Sequence, residues 1–241
     1  MIKNRRLPED GGMLGEIYGS HYRFFIDQLP PSELGTVLEL GSGHGFLKRL
    51  LPGAVTSELW PVPNVDLLCS AVDLPFEDES LSAIIMLDVL HHVRFPERFF
   101  AEAQRCLVPC GKILMVEPAN TAMSRLIYRH LHHEAFEVGA SDWQLPEGDP
   151  TLIANQALPW IIFFRDRARF EHQYPNLQVE KLEHCVPFSY LLSGGLSKPQ
   201  LLPDSLYPVL ARLEAKLPAW LLRTTAMFYR ICVAKQPLPA R

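Results

Sequence analysis

No apolar run in this sequence is long enough to cross a bilayer. The longest uncharged stretch, Pro150 to Phe164, has fifteen residues interrupted by Asn155, Gln156 and Pro159, whereas a membrane-spanning helix needs about 20 apolar residues. The opening MIKNRRLPEDGGMLG has no apolar core of the kind a secretory signal carries, and the expected location is cytoplasmic. A basic surplus is lacking too. Lys and Arg number 23 against 27 Asp and Glu, a net charge of −4, which argues against a dedicated nucleic-acid binder. The five cysteines (Cys69, Cys106, Cys110, Cys185, Cys232) fall in no metal spacing and no even-numbered disulfide framework. They read as small hydrophobes in a reducing compartment, and no metal is expected.

What is present is a soluble, globular composition: 241 residues, 48% hydrophobic and 21% charged. Such a chain buries a sizeable core without staples. Prolines number 21, nearly twice the usual share of about 5%, so many elements must end sharply. Charge is uneven as well: residues 1–120 hold 10 basic and 16 acidic side chains, residues 121–241 hold 13 and 11. The two halves are expected to face different partners.

Along the chain, residues 15–29 read as a helix stopped by Pro30-Pro31. From residue 36 short apolar runs alternate with helical patterns: strands at TVLELG, AVTSE, LLCSAV, SAIIMLD and KILMVEP, a brief helix at FLKRLLPG, and a helix over 95–107 with Pro96 in its first turn. Strands this short and this apolar are those of a parallel sheet covered on both faces. The second half reads as a helix over 122–137, a loop over 138–150, and helix on either side of Pro159 within 151–173. A strand at 177–184, a Pro- and Gly-rich stretch with a helix over 205–216, and a last strand over 226–235 follow.

The most informative segment is Val37-Leu38-Glu39-Leu40-Gly41-Ser42-Gly43-His44-Gly45-Phe46-Leu47. A strand runs directly into three alternating glycines and then a helix, so backbone N–H groups can approach a ligand at the strand's carboxyl end. The dinucleotide fingerprint would need glycine at 46, which is Phe, and the Gly-Lys-Ser/Thr of a P-loop is absent.

This segment resembles the class I S-adenosylmethionine-dependent methyltransferases, in particular their type 11 group. The resemblance covers about 85 residues and carries further motifs in order: Glu58 ending TSELW, Asp73 in AVDLPF, the run IIMLDVLHHV, and LVPCGKILMVEP. It implies a Rossmann-like α/β fold with a seven-stranded, mostly parallel sheet. It also implies S-adenosyl-L-methionine as cofactor, with S-adenosyl-L-homocysteine as product. Glu39, Gly41, Ser42, Gly43 and Gly45 would wrap the methionine and ribose part, Glu58 with Leu59 would take the ribose hydroxyls, and Asp73 with Leu74 the adenine. Asp88 would orient the cofactor or its loop. Two departures stand out: only 13 positions separate Gly45 from Glu58, and Pro61 and Pro63 follow Glu58 closely.

The acceptor is less legible. His91 and His92 follow the fourth strand, where an imidazole could serve as general base, or one ring packs and the other caps a turn. His130, His132, His133 and Glu134 lack the H-E-x-x-H spacing; they make a solvated helix face or the mouth of a pocket. A metal site combining the two histidine pairs is a minor reading. Tyr18, His21 and Tyr22 on the first helix either pack in the core or close over the site. LPWIIFFRDRARF (158–170) sets Trp160 and three phenylalanines beside three arginines, which suits a helix covering the sheet, a contact with a membrane surface or a grip on a lipid-like acceptor. The expectation is one domain over 1–241, with a cofactor core at 34–118 and lid-forming insertions at 121–176 and 186–224. It would methylate a small, apolar or lipid-like acceptor. The rival is a catalytically inactive S-adenosylmethionine-binding protein.

Overall fold

The computed structural model describes residues 11–31, 35–43, 45–149, 152–196 and 198–237. Leu34, the first residue of the expected core, and His44 of the glycine segment lie outside the described residues, as does the opening MIKNRRLPED.

Seven strands form one sheet: β1 (Thr36–Leu40), β2 (Val55–Glu58), β3 (Leu67–Leu68), β4 (Leu81–Leu87), β5 (Leu107–Pro118), β6 (Leu177–Cys185) and β7 (Phe228–Lys235). Their order is β3-β2-β1-β4-β5-β7-β6. The first five run parallel, while β7 lies antiparallel between β5 and β6. All seven residues of β4 are buried, as its unbroken apolar run requires of a central strand. Strand order reverses between β1 and β4, and the loops leaving their carboxyl ends part there. Such a switch point is where open α/β sheets bind ligands.

Helices cover both faces. α1 (Gly12–Gln28) buries Met13, Leu14, Ile17, Tyr18, His21, Tyr22 and Phe25, a stripe at helical spacing, and stops before Pro30-Pro31 because the residue preceding a proline disfavours the helical region. α2 is one turn (Leu47–Leu50), cut short by Pro52. α3 (Pro96–Cys106) turns Phe99, Phe100 and Ala103 inward.

The second half departs from expectation at its boundaries. α4 spans Ala122–Leu131 and begins with a Thr121–Ser124 capping box; it ends six residues before the expected 137, where His132 turns away toward Gln156. The expected helix around Pro159 is three pieces: α5 (Leu158–Trp160), a π-helical turn (Ile161–Arg165) and α6 (Arg167–Gln173). α7 (Ser189–Ser193), α8 (Tyr207–Glu214) and α9 (Ala219–Thr225) follow. Third-strand pairing is confined to two residues rather than the six of LLCSAV, since Asp66 and Asn64 return to Thr56.

Phe100, Phe163, Phe170 and Tyr174 pack ring against ring at 5.0–6.0 Å, and this cluster seats the π-turn and α6 on α3. Ile161, Ile162, Phe163 and Phe170 are fully buried. The guanidinium groups beside them, partly exposed, are engaged by partners within the protein: Arg165 by Asp166 and the carbonyls of Val138 and Ala140, Arg167 by Glu171, Arg169 by Glu97 and Asp142. The segment therefore covers the sheet, and the membrane-contact reading loses the side chains on which it rested. Among the described residues no helix is long and apolar enough to cross a membrane.

Candidate active site

The turn after β1 is built from its own hydrogen bonds. The N–H of Gly45 donates to the Ser42 carbonyl at 3.0 Å and the N–H of Ser42 to the Ser57 carbonyl at 3.0 Å. The Ser42 hydroxyl donates to the Glu39 carbonyl and accepts from the N–H of Ser57; it joins β1 to β2 and faces no open space. A Cβ on Gly41 would stand 2.5 Å from a methyl of Val89, which closes the turn against the loop after β4. Gly43 differs. Its φ is +57° and a Cβ there would meet nothing within 4 Å, so the backbone borders free volume.

Below this turn lies Glu39, 1% exposed. The Tyr22 hydroxyl donates to its Oε1 at 2.7 Å, while Oε2 is buried with no hydrogen-bond partner. Burial pushes the carboxyl up to about 7, despite the opposing bond from Tyr22. A buried, half-satisfied carboxylate is costly unless something cationic completes it.

Glu58, at the end of β2, reaches over the turn. Its Oε1 accepts from the N–H of Gly43 at 2.6 Å and its Oε2 from the N–H of Leu59 at 3.3 Å. Leu59 and Trp60 follow it, 47% and 50% exposed. Asp73, bridged to Ser70, is exposed, and Leu74 is buried, its N–H held by Glu102. Of the expected cofactor residues, Glu39 and the glycines thus lie at the carboxyl end of β1, Glu58 and Leu59 at that of β2 and Asp88 at that of β4, while Asp73 and Leu74 fall between β3 and β4.

The loop leaving β4 is fixed from β5. Asp88 adopts a left-handed backbone, φ +58°, a conformation rare outside glycine and kept where surroundings enforce it. Glu117, fully buried, accepts from the N–H groups of Val89 and Leu90 with Oε1 and from His91 Nδ1 with Oε2, at 3.0, 2.7 and 2.8 Å. His92 Nδ1 lies 3.0 Å from the carbonyl of Ile153. A carbonyl only accepts, so Nδ1 of His92 carries the hydrogen and Nε2 the lone pair. Both Nε2 atoms face Glu134, at 3.6 Å from His91 and 3.8 Å from His92. Glu134 is held by Gln156 at 2.8 Å, with His132 and His133 beside it.

Burial works against a charge on His91, but Glu117 and Glu134 outweigh it and raise its pKa well above the usual imidazole range. Glu134 is correspondingly held down. Burial and the neighbouring His91 charge push His92 the other way, toward its neutral form. A charged His91 cannot accept a proton, so as an expected general base it fits the geometry poorly; His92 fits it better.

Of the remaining expected residues, Tyr22 meets the site through Glu39. Tyr18 and His21 do not: His21 packs edge-on against Phe228 at 5.7 Å and Tyr18 against His21 at 6.3 Å. Burial, with Arg230 adding to it, lowers His21 to about 3. Trp160 is half-buried against the core beneath the π-turn. His133, mostly exposed, sits at the outer edge of the Glu134 cluster. Glu117 is absent from the sequence-based list, and the signal was there: one acid within the apolar strand KILMVEP.

Among known proteins, the family described as "Methyltransferase domain", type 11, matches residues 38–115. No curated protein matches the chain by sequence. Similar solved structures include a SAM-dependent methyltransferase from Archaeoglobus fulgidus (15% identity, TM-score 0.56, covering 91% of this chain and 94% of that one). A possible histamine N-methyltransferase from Thermotoga maritima gives 16%, 0.54, 91% and 89%. Geranyl diphosphate C-methyltransferase from Streptomyces coelicolor, in complex with Mg2+, geranyl diphosphate and S-adenosyl-L-homocysteine, gives 12%, 0.50, 93% and 81%. At these identities the structures speak for the fold, while the matched family spans the glycine turn, Glu58, Asp73 and the His91 loop. Over about a third of the chain, residues 38–115, the sequence thus matches the type 11 methyltransferase domain that its glycine turn and following motifs resemble.

Proposed function

We propose that this protein transfers the methyl group of S-adenosylmethionine to a small, apolar acceptor. The acceptor would lie at the carboxyl edge of β4 and β5, covered by residues 121–176 and 186–224. The observations that carry the cofactor side are the unpartnered Oε2 of Glu39 at the end of β1 and the free volume at Gly43 in the turn that follows. The methionine end of the cofactor carries an ammonium group, the partner this carboxylate lacks. Glu58 would exchange its bond to Gly43 for the ribose hydroxyls, Leu59 would border the ribose and nucleoside, and Asp73 with Leu74 would take the adenine edge. When bound, the cofactor supplies an electrophilic methyl group on a sulfonium.

The chain then has to orient the acceptor for in-line attack and exclude water, which can supply about 7–11 kcal/mol of the barrier of a two-substrate reaction. The clamp of Glu117 on Val89, Leu90 and His91 fixes one wall. The fully buried Trp143, Ile161, Ile162 and Phe163 show how much of the covering segment is apolar, which supports an acceptor with few charges: an isoprenoid, quinone, polyketide or fatty compound. An acceptor that loses a proton on methylation would deliver it to Nε2 of His92, the neutral imidazole of the pair.

Calorimetry with S-adenosylmethionine and S-adenosylhomocysteine, followed by methyl transfer from labelled cofactor to a panel of acceptors, tests this reading. Binding of both and turnover on an apolar small molecule is expected. Failure to bind either would sink the cofactor assignment, turnover on protein or RNA alone would sink the acceptor class, and binding without turnover on anything would favour the inactive rival.

A further inference from the structure

His91, His92 and Glu134 come from two distant stretches of chain, yet each offers a ligand atom within 4.8 Å of the others. Three features go beyond an ion-pair network. First, both imidazoles are oriented through Nδ1, His91 by the Glu117 carboxylate at 2.8 Å and His92 by the Ile153 carbonyl at 3.0 Å. Carboxylate or carbonyl groups on the far nitrogen are the usual outer partners of metal-bound histidines; they fix the tautomer and leave Nε2 as ligand. Second, the Nε2-to-carboxylate distances of 3.6 and 3.8 Å exceed a hydrogen bond. They approach the separation of roughly 3.3 Å between two ligands at about 2.0–2.2 Å from a tetrahedral metal. Third, a dication would be balanced by Glu117 and Glu134, the two carboxylates in contact with His91.

We infer that the Nε2 atoms of His91 and His92 and the Glu134 carboxylate form a site for one divalent transition-metal ion of the zinc, cobalt or iron kind, His91 releasing its proton to solvent as the ion binds. Two imidazoles and one carboxylate suit such ions and not magnesium or calcium, which take oxygen ligands. Three protein ligands leave a coordination position open, as in catalytic rather than structural sites. A cleft of about 420 Å³ lined by Tyr128, His132, Glu134 and Phe136 shares Glu134 with the site. His132 stays outside the ligand set, held by Gln156 and stacked on His133 at 4.7 Å. The ion's use in catalysis rests on the methyl-transfer reading: an oxygen of the acceptor would fill the open position. The site itself does not depend on that reading.

The test is titration of the metal-free full chain with Zn2+ by calorimetry and with Co2+ by visible absorption. One ion per chain is expected. Losing an outer partner of a metal site typically weakens binding about 10- to 100-fold, and losing a ligand should weaken it at least as much, so His92→Ala and Glu134→Gln should each do so. His92→Gln, which can still bond the Ile153 carbonyl, should behave the same and covers the case of a misfolded alanine variant. His172→Ala, on the exposed face of α6, should bind as the unaltered chain does. Absence of one-to-one binding, or binding unchanged by the His92 and Glu134 substitutions, overturns the inference. S-adenosylhomocysteine binding, measured on the same samples, is expected to persist in all variants; its loss in the unaltered chain would instead count against the cofactor reading.

Discussion

Replacing Glu39 by glutamine should change both the pH dependence of stability and the proton balance of cofactor binding. The carboxyl is raised from 4.5 to about 7 in the folded protein. A raised acid binds more protons folded than unfolded between these values, so its contribution favours folding below pH 4.5 and is lost as pH rises through 7. A shift of about 2.5 units at about 1.4 kcal/mol each corresponds to roughly 3 kcal/mol. Denaturant melts of the free protein from pH 5 to pH 8 should show a decline of this order. Glu39→Gln keeps an acceptor for the Tyr22 hydroxyl and should lack that part of the decline. An ammonium brought to Oε2 would favour the ionised carboxyl, so cofactor binding near pH 6 should expel most of one proton. It should also tighten about tenfold between pH 6 and pH 8, the change in ionised fraction of a group titrating near 7. Calorimetry of S-adenosylhomocysteine binding in two buffers of different ionisation enthalpy counts the proton directly. Equal proton release by the glutamine variant, or full cofactor affinity without the carboxylate, would refute the reasoning.

Three further outcomes are expected. Gly43→Ala meets no neighbouring atom and should cost only the strain of a positive φ, roughly 1 kcal/mol, while weakening cofactor binding several times more than it weakens the fold; equal effects on both would show that the space at Gly43 is not used. Phe163→Ala removes a fully buried ring packed on Phe100 and Phe170 and should destabilise by about 3–5 kcal/mol, readable as a shifted urea midpoint. The triple change of Arg165, Arg167 and Arg169 to Ala should leave co-sedimentation with anionic vesicles as low as in the unaltered chain, because these guanidinium groups are engaged by Asp166, Glu171, Glu97 and Asp142; strong sedimentation of the unaltered chain that the change abolishes would restore the membrane reading.

The region from β1 to β5 is legible in the sequence because β1, β4 and β5 are largely buried apolar runs separated by turn residues, whereas β3, two residues long with Leu68 exposed, is the strand whose extent the sequence does not mark. Glu39, Glu58 and the glycines were legible for a related reason: a ligand-binding turn is local, and its residues stay together in the chain. The histidine cluster is different. His91 and His92 could be flagged by position after β4, but their partners come from the end of β5, from the turn two residues past the α4 cap and from the loop before α5. Only tertiary structure sets Glu117, Glu134 and Ile153 around them. Helix ends in 121–176 failed for the same cause. Nothing in the sequence near residue 131 stops a helix; α4 ends because His132 and Glu134 bind Gln156 across the fold. Likewise the aromatic and arginine block reads identically for a membrane contact and for an interior helix until its partners are known.

The position of β7 bears on how the molecule comes into being. Residues 228–235 lie between β5 and β6 and pair with both, yet they follow every other strand in the chain. During synthesis β5 therefore waits with its edge open, an apolar strand whose unpaired N–H and C=O groups invite pairing with another molecule, and β6 has no place in the sheet at all. The hydroxyl of Tyr229, which takes the N–H of Asn120 just past β5, arrives equally late. The cofactor half can assemble early, whereas the wall that carries Glu117 gains its outer neighbour only at the end. A nascent or truncated chain is thus most exposed to aggregation on the acceptor side.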